Sequence, residues 1–485
     1  MKSVFGLFGT ILMFAVLVTA SIPTASAQDT SVFRAGAAKL DITPPLGCSL
    51  AGHLVDRKAT HVHDPLHARS LVMEDGKTKI AIVICDLIGI AQSEVSEAKR
   101  LISEQTGIPP ECVLIAGTHT HTGPAPEPCL QSDPDPEYLK FLVVRIADSV
   151  RCAINNLRPA RVGWGLGHEE RMVFNRRYFM KPGTVPPDPW GRTEDQVKMN
   201  PGYENPNVVK PAGPVDPDLT ILAVQDTDGY PIAVLGNYAL HYVGGGNGLE
   251  ISADYFGQWC RIMEQSWGKY DESKPPCVAL LSNGCSGNIN NVDIHQKLIQ
   301  PHPYHQMNRV AQAVADEAMR VLGGITYRES IPLQGALETV ELGIRKPSST
   351  EVQEAQEILK KAGPELKDLP EIYARETVLM AEMPEKISTT VQAIRIGDAV
   401  IATFPGEAFV ELGLEIKKKS QFERTFCVEL ANDDVGYIPT EEAYKLGGYE
   451  TWRARSSPLQ PGSAEKLLAA ALALLNTVHE SSGGR

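Results

Sequence analysis

Apolar runs of strand length alternate with amphipathic segments along most of the chain. Residues 79–87 and 113–116 are continuous apolar runs, which is the pattern of strands buried on both faces. Between them, residues 93–106 carry charged side chains on one side and apolar side chains on the other, as an amphipathic helix does. Strand, helix and strand in this order form a βαβ unit, so this part of the chain is predicted to be α/β.

The same pattern continues towards the C-terminus. Strand-length apolar runs lie at 232–238, 278–281 and 399–403, and helical patterns lie at 304–322 and 464–478. We therefore expect one large α/β domain over residues 28–485, in which one or more mixed sheets are flanked by helices.

Two segments interrupt this pattern. Residues 179–218 are rich in Pro, Gly and Asn and far exceed the usual loop length, which predicts a loop insert of the kind that forms lids or substrate-binding walls. Residues 350–383 are rich in Glu, Lys and Ala, which predicts a helical insert at the periphery. Both segments are predicted to be additions to the domain core.

The first 27 residues have the features of a secretory signal peptide. Lys2 supplies a positive charge, residues 4–20 are apolar, and Ala25-Ser26-Ala27 is a typical cleavage site. No later segment reaches 18 apolar residues, so no transmembrane helix is predicted. We expect a secreted or periplasmic protein whose mature chain begins near Gln28.

Charge and cysteine spacing argue against two kinds of protein. The formal net charge of −13 argues against a nucleic-acid partner, because a polyanion would be repelled. The nine cysteines include no C-x2-C pair, so a zinc ribbon built on thiolates is not expected. An exporting compartment permits disulfides, but their pairing cannot be read from the spacing.

The first candidate for chemistry is the segment 117–124, GTHTHTGP, which follows the apolar run 113–116. In extended backbone, side chains two residues apart share a face, so His119 and His121 are expected to point to the same place. Imidazole is the commonest transition-metal ligand, which makes a metal site one interpretation. An ordinary pair of histidines in a surface loop is the other.

Further metal-ligand residues follow other predicted strands. His241 comes after one apolar run, and Glu407 comes after another. Because the carboxyl ends of parallel strands line one edge of an α/β sheet, we expect these residues to meet His119 there. Two histidines, one glutamate and an open position for water form a catalytic zinc set.

Two more groups have open interpretations. Asp86 also follows an apolar run, where it could orient a ligand histidine or serve only as a structural carboxylate. The histidines His61, His63 and His67 form a second cluster, for which a solvated loop is favoured over a second metal site.

Taken in order, these motifs resemble the catalytic N-terminal domain of the neutral/alkaline non-lysosomal ceramidase family. The resemblance rests on GAAKLDITP at 36–44, HDPLHAR at 63–69, GTHTHTGP at 117–124, FNR at 174–176, NYALH at 237–241, FPGE at 404–407 and the segment 431–440. It spans nearly the whole mature chain. The family's additional immunoglobulin-like C-terminal domain is expected to be absent here.

The resemblance implies one catalytic zinc ion and hydrolysis of an amide bond by attack of a zinc-bound water. Carried over by position, the ligands would be His119, His241, Glu407 and Tyr437. His121 would lie near the water or the substrate oxygen, and Arg176 would reach into the site. His121, Arg176 or Tyr437 would stabilise the oxyanion. The implied substrate is N-acylsphingosine (ceramide), which is cleaved to a sphingoid base and a fatty acid.

One turn departs from the family pattern and keeps other functions open. The family's serine in the segment 284–290, GCSGNIN, falls on Asn288 or, if the alignment slips, on Ser286. A zinc hydrolase of another N-acyl or ester compound is therefore a close alternative, and a non-catalytic lipid- or carbohydrate-binding protein is a third. A serine hydrolase built on Ser286 is least favoured, because the turn lacks G-x-S-x-G. The partner is expected to be a small-molecule or lipid substrate, with peripheral membrane approach and oligomeric state left open.

Overall fold

Strands dominate the first two thirds of the chain, and helices cover them. The computed structural model describes Met1 and residues 32–297 and 299–480. Apart from Met1, the predicted signal peptide lies outside the described residues. From Val32 onwards, the described residues belong to one compact unit, which carries all the elements named below.

Up to residue 211, the elements in chain order are β1 (Arg34–Asp41), β2 (Ser49–Leu50), β3 (Arg57–Lys58), β4 (His61–Val62), β5 (His67–Glu74), β6 (Lys79–Cys85), α1 (Gln92–Thr106), β7 (Val113–Gly117), α2 (Pro136–Asn155), β8 (Arg158–His168), β9 (Phe174–Asn175), β10 (Arg177–Met180), β11 (Val197–Met199) and β12 (Val208–Pro211). A short 3-10 helix, Pro110–Cys112, precedes β7.

The remaining elements are β13 (Asp218–Asp226), β14 (Pro231–Tyr238), β15 (Glu250–Ile251), α3 (Asp254–Ser266), β16 (Val278–Asn283), β17 (Ile289–Asn290), α4 (His305–Leu322), β18 (Leu333–Gly343), α5 (Ser349–Lys361), α6 (Leu369–Glu382), β19 (Lys386–Ile396), β20 (Ala399–Thr403), β21 (Glu407–Ala408), α7 (Val410–Lys419), β22 (Arg424–Val428), β23 (Tyr437–Ile438), α8 (Glu441–Leu446) and α9 (Ser463–Glu480). A second 3-10 helix, Tyr449–Thr451, follows α8.

The largest sheet is mixed and has the strand order β16-β14-β13-β8-β1-β5-β6-β7. The outermost pairs, β14 with β16 and β6 with β7, are parallel, and the neighbours between them are antiparallel. The parallel pair β6 and β7 is joined through α1, which confirms the predicted βαβ unit. Because β16 contacts both β6 and β7, the sheet curls until its two parallel edges come together.

A second sheet, β18-β19-β20-β22, completes the frame around the point where those edges meet. Its strands β20 and β22 are parallel, and β22 contacts β14 and β16 of the large sheet. The backbone N–H of Asn432 donates to the carbonyl of Ile115 over 2.8 Å, which ties the segment after β22 to β7. Helix α9 covers β18 and β19.

Helices and apolar side chains bury both faces of the large sheet. Helices α1 and α2 pack together beside β1 and β5, and α3 and α4 pack together beside β16 and β8. Strand β7 is buried at every residue, in agreement with its continuous apolar sequence. The predicted class, an α/β domain with mixed sheets flanked by helices, is confirmed.

The two segments predicted as inserts have structure of their own. The segment 179–218 contributes β11, β12 and part of β10 to a three-stranded sheet of order β11-β10-β12. The segment 350–383 consists mainly of α5 and α6, which pack against each other. No described helix is both long enough and apolar enough to cross a membrane. The nine cysteines, all within the described residues, are free thiols.

Candidate metal centre and its cavity

A tight turn after β7 brings two imidazoles to the junction of the sheets. The backbone N–H of His119 donates to the carbonyl of Leu87 over 2.8 Å, and His119 has φ = 78°. This left-handed conformation is uncommon for a residue other than glycine. The two imidazoles do meet, as predicted, but the predicted reason is wrong. They meet because of this turn and not because they share a face of an extended strand.

Hydrogen bonds set the direction of both rings. His119 Nδ1 lies 2.9 Å from the carbonyl oxygen of Ile88, and His121 Nδ1 lies 2.9 Å from the carbonyl oxygen of Gly52. Because a carbonyl only accepts, each Nδ1 carries a proton, and each Nε2 is directed towards the cluster. Gly52 has φ = 94°, and a Cβ there would lie 2.3 Å from His121 Nδ1, so only glycine permits this approach.

Four donor atoms meet at one buried point. His119 Nε2 lies 3.1 Å from His121 Nε2, 3.1 Å from His241 Nε2 and 3.4 Å from Glu407 Oε2. Glu407 Oε2 is also 3.9 Å from His241 Nε2. Zinc ligands that lie about 2.0–2.1 Å from the ion in a tetrahedron are roughly 3.3 Å apart, so these spacings suit a metal site.

The structure brings these residues together by a different route from the one predicted. We expected the strand ends to line one sheet edge. Instead, His119 follows β7, His241 follows β14 and Glu407 begins β21 after β20, so the three come from three parallel pairs in two sheets. They meet because the large sheet curls and the second sheet closes against it.

The chemistry of the four groups fits a divalent cation. Glu407 Oε2 is buried and has no hydrogen-bond partner among the described residues. Burial lowers the pKa of His121 and of His241 well below the usual value, so both rings are neutral and offer lone pairs at neutral pH. Imidazole nitrogen with carboxylate oxygen is the donor set that zinc prefers.

Arg176 connects the cluster to a buried ion-pair network. Its Nη1 donates to His241 Nε2 over 3.1 Å, its Nη2 donates to the Tyr437 hydroxyl over 2.9 Å, and its Nε donates to Glu450 over 2.8 Å. Glu450 also accepts from Arg177 over 2.9 Å. Although burial opposes it, the guanidinium groups of Arg177 and Arg176 hold the pKa of Glu450 below its ordinary value.

Tyr437 lies beside Glu407 because β21 and β23 pair in parallel with these two residues in register. Burial raises the pKa of Tyr437 well above its usual value, against the opposing effect of Arg176. The phenol is therefore protonated at neutral pH, and it accepts its hydrogen bond from Arg176. The structure thus places six predicted residues together: His119, His121, Arg176, His241, Glu407 and Tyr437.

Substitution of Tyr437 by phenylalanine tests the role of its oxygen. The ring would keep its packing, while Arg176 would lose one partner and the cluster one oxygen. If the centre hydrolyses an amide, as the sequence motifs imply, we expect kcat to fall by about 10²-fold, the usual cost of removing one group that stabilises an oxyanion. Steady-state kinetics on the folded variant measure this, and wild-type kcat would contradict a role for the hydroxyl.

A cavity of about 500 Å³ opens onto the cluster, and His121, Arg176, His241 and Tyr437 lie in its wall. The three-stranded sheet contributes Val197 and Met199, and α6 contributes Leu369. A separate cavity of about 320 Å³ reaches the opposite side of the cluster, where His119 and Glu407 line it. Both predicted inserts therefore form part of the wall of the larger cavity.

Other candidate residues have structural roles. Asp86 accepts from the backbone N–H of His67 over 2.9 Å and from Arg69 over 3.5 Å, and it orients no histidine of the cluster. Burial raises the pKa of Asp86 to about 6. His61 is exposed and His63 stacks on Tyr304. Among the described residues, the group of metal-binding side chains that converges is His119, His121 and His241.

In the turn 284–290, which departs from the family pattern, Asn290 lines the larger cavity, but the two candidate positions for the family serine do not. Ser286 donates to Glu429 over 2.6 Å, and its backbone N–H donates to the same carboxylate over 3.1 Å. Asn288 donates to Glu411 over 2.9 Å and accepts from the backbone N–H of Val410, the first residue of α7. Neither Ser286 nor Asn288 lines the larger cavity, which argues against a serine nucleophile.

Two solved ceramidase structures are similar to this chain. No protein-family model matches the sequence. The neutral ceramidase from Pseudomonas aeruginosa matches 93% of this chain and 75% of its own, with a TM-score of 0.70 and 19% sequence identity. The chain has the neutral ceramidase fold. A ceramidase complexed with C2 matches with a TM-score of 0.70 and 17% identity, over 93% of this chain and 76% of its own.

The ceramidase fold confirms the family resemblance drawn from the sequence motifs at the level of architecture. Three of those motifs, GTHTHTGP, NYALH and FPGE, are brought to one point by that fold through His119, His241 and Glu407. Sequence reasoning missed Glu450, which holds Arg176, and Tyr242, which lies against His121. Neither residue stands in a spacing that would have revealed it.

Proposed function

We propose that the protein is an exported, zinc-dependent hydrolase that cleaves an amide bond, with N-acylsphingosine as its leading substrate. The observation that carries this proposal is the convergence of His119, His121, His241 and Glu407 at the wall of a large cavity. Such a set of donors fits a catalytic zinc site, which keeps a position open for water. Export rests on the predicted signal peptide.

His119, His241 and Glu407 would hold the ion, with Tyr437 as a further oxygen ligand. When bound, zinc would lower the pKa of a water molecule towards ~7 and polarise the scissile carbonyl. The chain supplies the remaining parts. His121 Nε2 carries a lone pair and is positioned to take a proton from the attacking water and return it to the leaving nitrogen.

Stabilisation of the oxyanion falls to Arg176 and Tyr437. The guanidinium of Arg176 is buried, fixed by Glu450 and always charged, so its N–H groups need no reorganisation as negative charge develops. Tyr437 is protonated and can donate once its hydroxyl rotates towards the substrate. Both lie in the cavity wall beside His241.

The cavity suits an acyl chain. Apolar side chains form much of the wall away from the cluster, including Val185, Pro186, Pro187, Val197, Met199 and Leu369. Burial of a hydrocarbon chain against such a wall contributes about 0.8 kcal/mol per methylene. The likeness to ceramidases supports a lipid amide, of which N-acylsphingosine is the first candidate.

One side chain favours a second candidate, a different N-acyl or ester compound. Lys198 lies in the cavity wall, half-buried, and its ammonium group forms no ion pair or hydrogen bond with any residue in the described part of the chain. An N-acyl amino acid would pair its carboxylate with this ammonium group. N-acylsphingosine has no anionic group to offer.

Hydrolysis of paired substrates tests the proposal. Purified protein is incubated with an N-acylsphingosine and with an N-acyl amino acid of the same chain length, and the released fatty acid and amine are measured by mass spectrometry. We expect release of the sphingoid base, its loss after chelation and its return on addition of zinc.

Three other results would change the substrate, the metal dependence or the assignment as an enzyme. Turnover of the N-acyl amino acid alone would show that N-acylsphingosine is not the substrate, while zinc-dependent amide hydrolysis would remain the reaction. Turnover that survives complete removal of metal would contradict a zinc hydrolase. No turnover of any amide or ester by the zinc-loaded protein would favour a binding protein.

A further inference from the structure

An aromatic ring lies flat against the second histidine of the cluster. The rings of Tyr242 and His121 stack with their centroids 3.7 Å apart and their planes at 14°. The other aromatic neighbours of His121 meet it at steeper angles, with His119 at 81° and His241 at 58°. Tyr242 is therefore the residue that covers a whole face of this imidazole.

A buried carboxylate fixes the backbone on which Tyr242 sits. Asp254, at the start of α3, accepts from the backbone N–H groups of Val243 over 3.2 Å and of Gly244 over 2.7 Å. It also accepts from the backbone N–H of Tyr255 over 2.5 Å. The loop after His241 is thus tied to a helix, so the Tyr242 ring has a defined position.

His121 needs such a partner because its other contacts leave one motion open. Its Nδ1–H donates to the carbonyl of Gly52, and its Nε2 faces His119 Nε2 at 3.1 Å. One hydrogen bond fixes the direction of the ring but lets it rock about the bond. A flat ring at van der Waals distance opposes that motion and holds Nε2 towards the cluster.

We propose that Tyr242 is a positioning residue of the metal centre. Its ring holds the imidazole of His121 in place. This inference rests on the proposed metal-dependent function. The hydroxyl group is not the acting part, since it makes no hydrogen bond with any residue that the structure describes. The ring covers the imidazole whether or not the hydroxyl is present.

Three variants separate the ring from the hydroxyl and from general packing. Tyr242→Phe keeps the stack, and Tyr242→Leu removes it. Tyr304→Leu is the matched control. Tyr304 also stacks on a histidine, His63, with ring centroids 3.8 Å apart and planes at 25°, but this pair does not belong to the cluster. Tyr242→Met, which fills more of the space, replaces Tyr242→Leu if the latter does not fold.

The first readout is zinc affinity, measured by competition with a chromophoric chelator, and the second is kcat and KM. Loss of a partner that orients a residue at a metal centre costs about 10–100-fold in metal affinity or activity. Because His121 is proposed to move the proton, we expect Tyr242→Leu to lower kcat by at least about tenfold at nearly unchanged KM. We also expect it to weaken zinc binding, because His121 Nε2 lies 3.1 Å from Nε2 of the proposed ligand His119. Tyr242→Phe and Tyr304→Leu should match the wild-type protein.

Two outcomes would overturn the proposal. Wild-type kcat together with wild-type zinc affinity in Tyr242→Leu would show that the ring positions nothing at the metal centre. Equal losses in Tyr242→Phe and Tyr242→Leu would assign the effect to the hydroxyl. If the variants change zinc affinity as expected but the wild-type protein cleaves no amide, the positioning role stands and the proposed function fails.

Discussion

On the proposed function, we expect replacement of His119 to remove both bound zinc and amide hydrolysis while the fold survives. His119 Nε2 lies within 3.4 Å of donor atoms from His121, His241 and Glu407, so it is the central atom of the cluster. Without His119 Nε2, the remaining donor atoms no longer enclose a position that a metal ion could occupy. Loss of several kcal/mol of stabilisation by a metal ion corresponds to roughly 10³-fold in rate or more.

The choice of substitution matters because of the backbone. His119 has φ = 78°, a conformation that alanine adopts at a cost and asparagine tolerates better. His119→Asn is therefore the cleaner variant and His119→Ala the second. His61→Ala, at an exposed histidine on β4, is the matched control and should retain zinc and turnover. Full zinc content with wild-type kcat in His119→Asn would contradict the assignment.

Replacement of Glu450 by glutamine will destabilise the protein more than any surface change. Glu450 is fully buried and neutralises both Arg176 and Arg177 at 2.8 Å and 2.9 Å. Glutamine keeps the shape but leaves two buried guanidinium groups without an anion. Breaking a buried ion pair on one side costs about 3–5 kcal/mol of unfolding free energy.

Urea unfolding measures this loss, and hydrolysis measures its consequence. Because Arg176 also touches His241 and Tyr437, we expect kcat to fall together with stability. Glu137→Gln removes an exposed ion pair with Lys140 and should leave both quantities unchanged. An unfolding free energy of Glu450→Gln equal to that of the wild type would show that the network contributes nothing.

Sequence patterns predicted the residues of the site better than the way they meet. Histidines and a glutamate after apolar runs indicated a metal site, since strand ends are where α/β proteins place such groups. The curl of the large sheet could not be predicted, because it depends on contacts between β16 and the distant strands β6 and β7. The left-handed turn at His119 was likewise invisible, since histidine gives no sign of a positive φ.

The supporting residues were hidden for a related reason. Glu450 lies in a short 3-10 helix, far along the chain from Arg176, and nothing in its local sequence marks it as buried. For Asp86 the local pattern was misleading. Its carboxylate follows a strand, which indicated a functional site, but it accepts hydrogen bonds from Arg69 and from the backbone of His67. Burial and ion pairing arise from tertiary contacts, which a local pattern does not contain.

The metal content of the purified native chain tests the central claim most directly. Elemental analysis by mass spectrometry, on protein purified without chelator or added metal, gives the number of zinc ions per chain. We predict about one, and about none in His119→Asn prepared in parallel. A native chain that contains no zinc and takes up none when zinc is added would contradict the account.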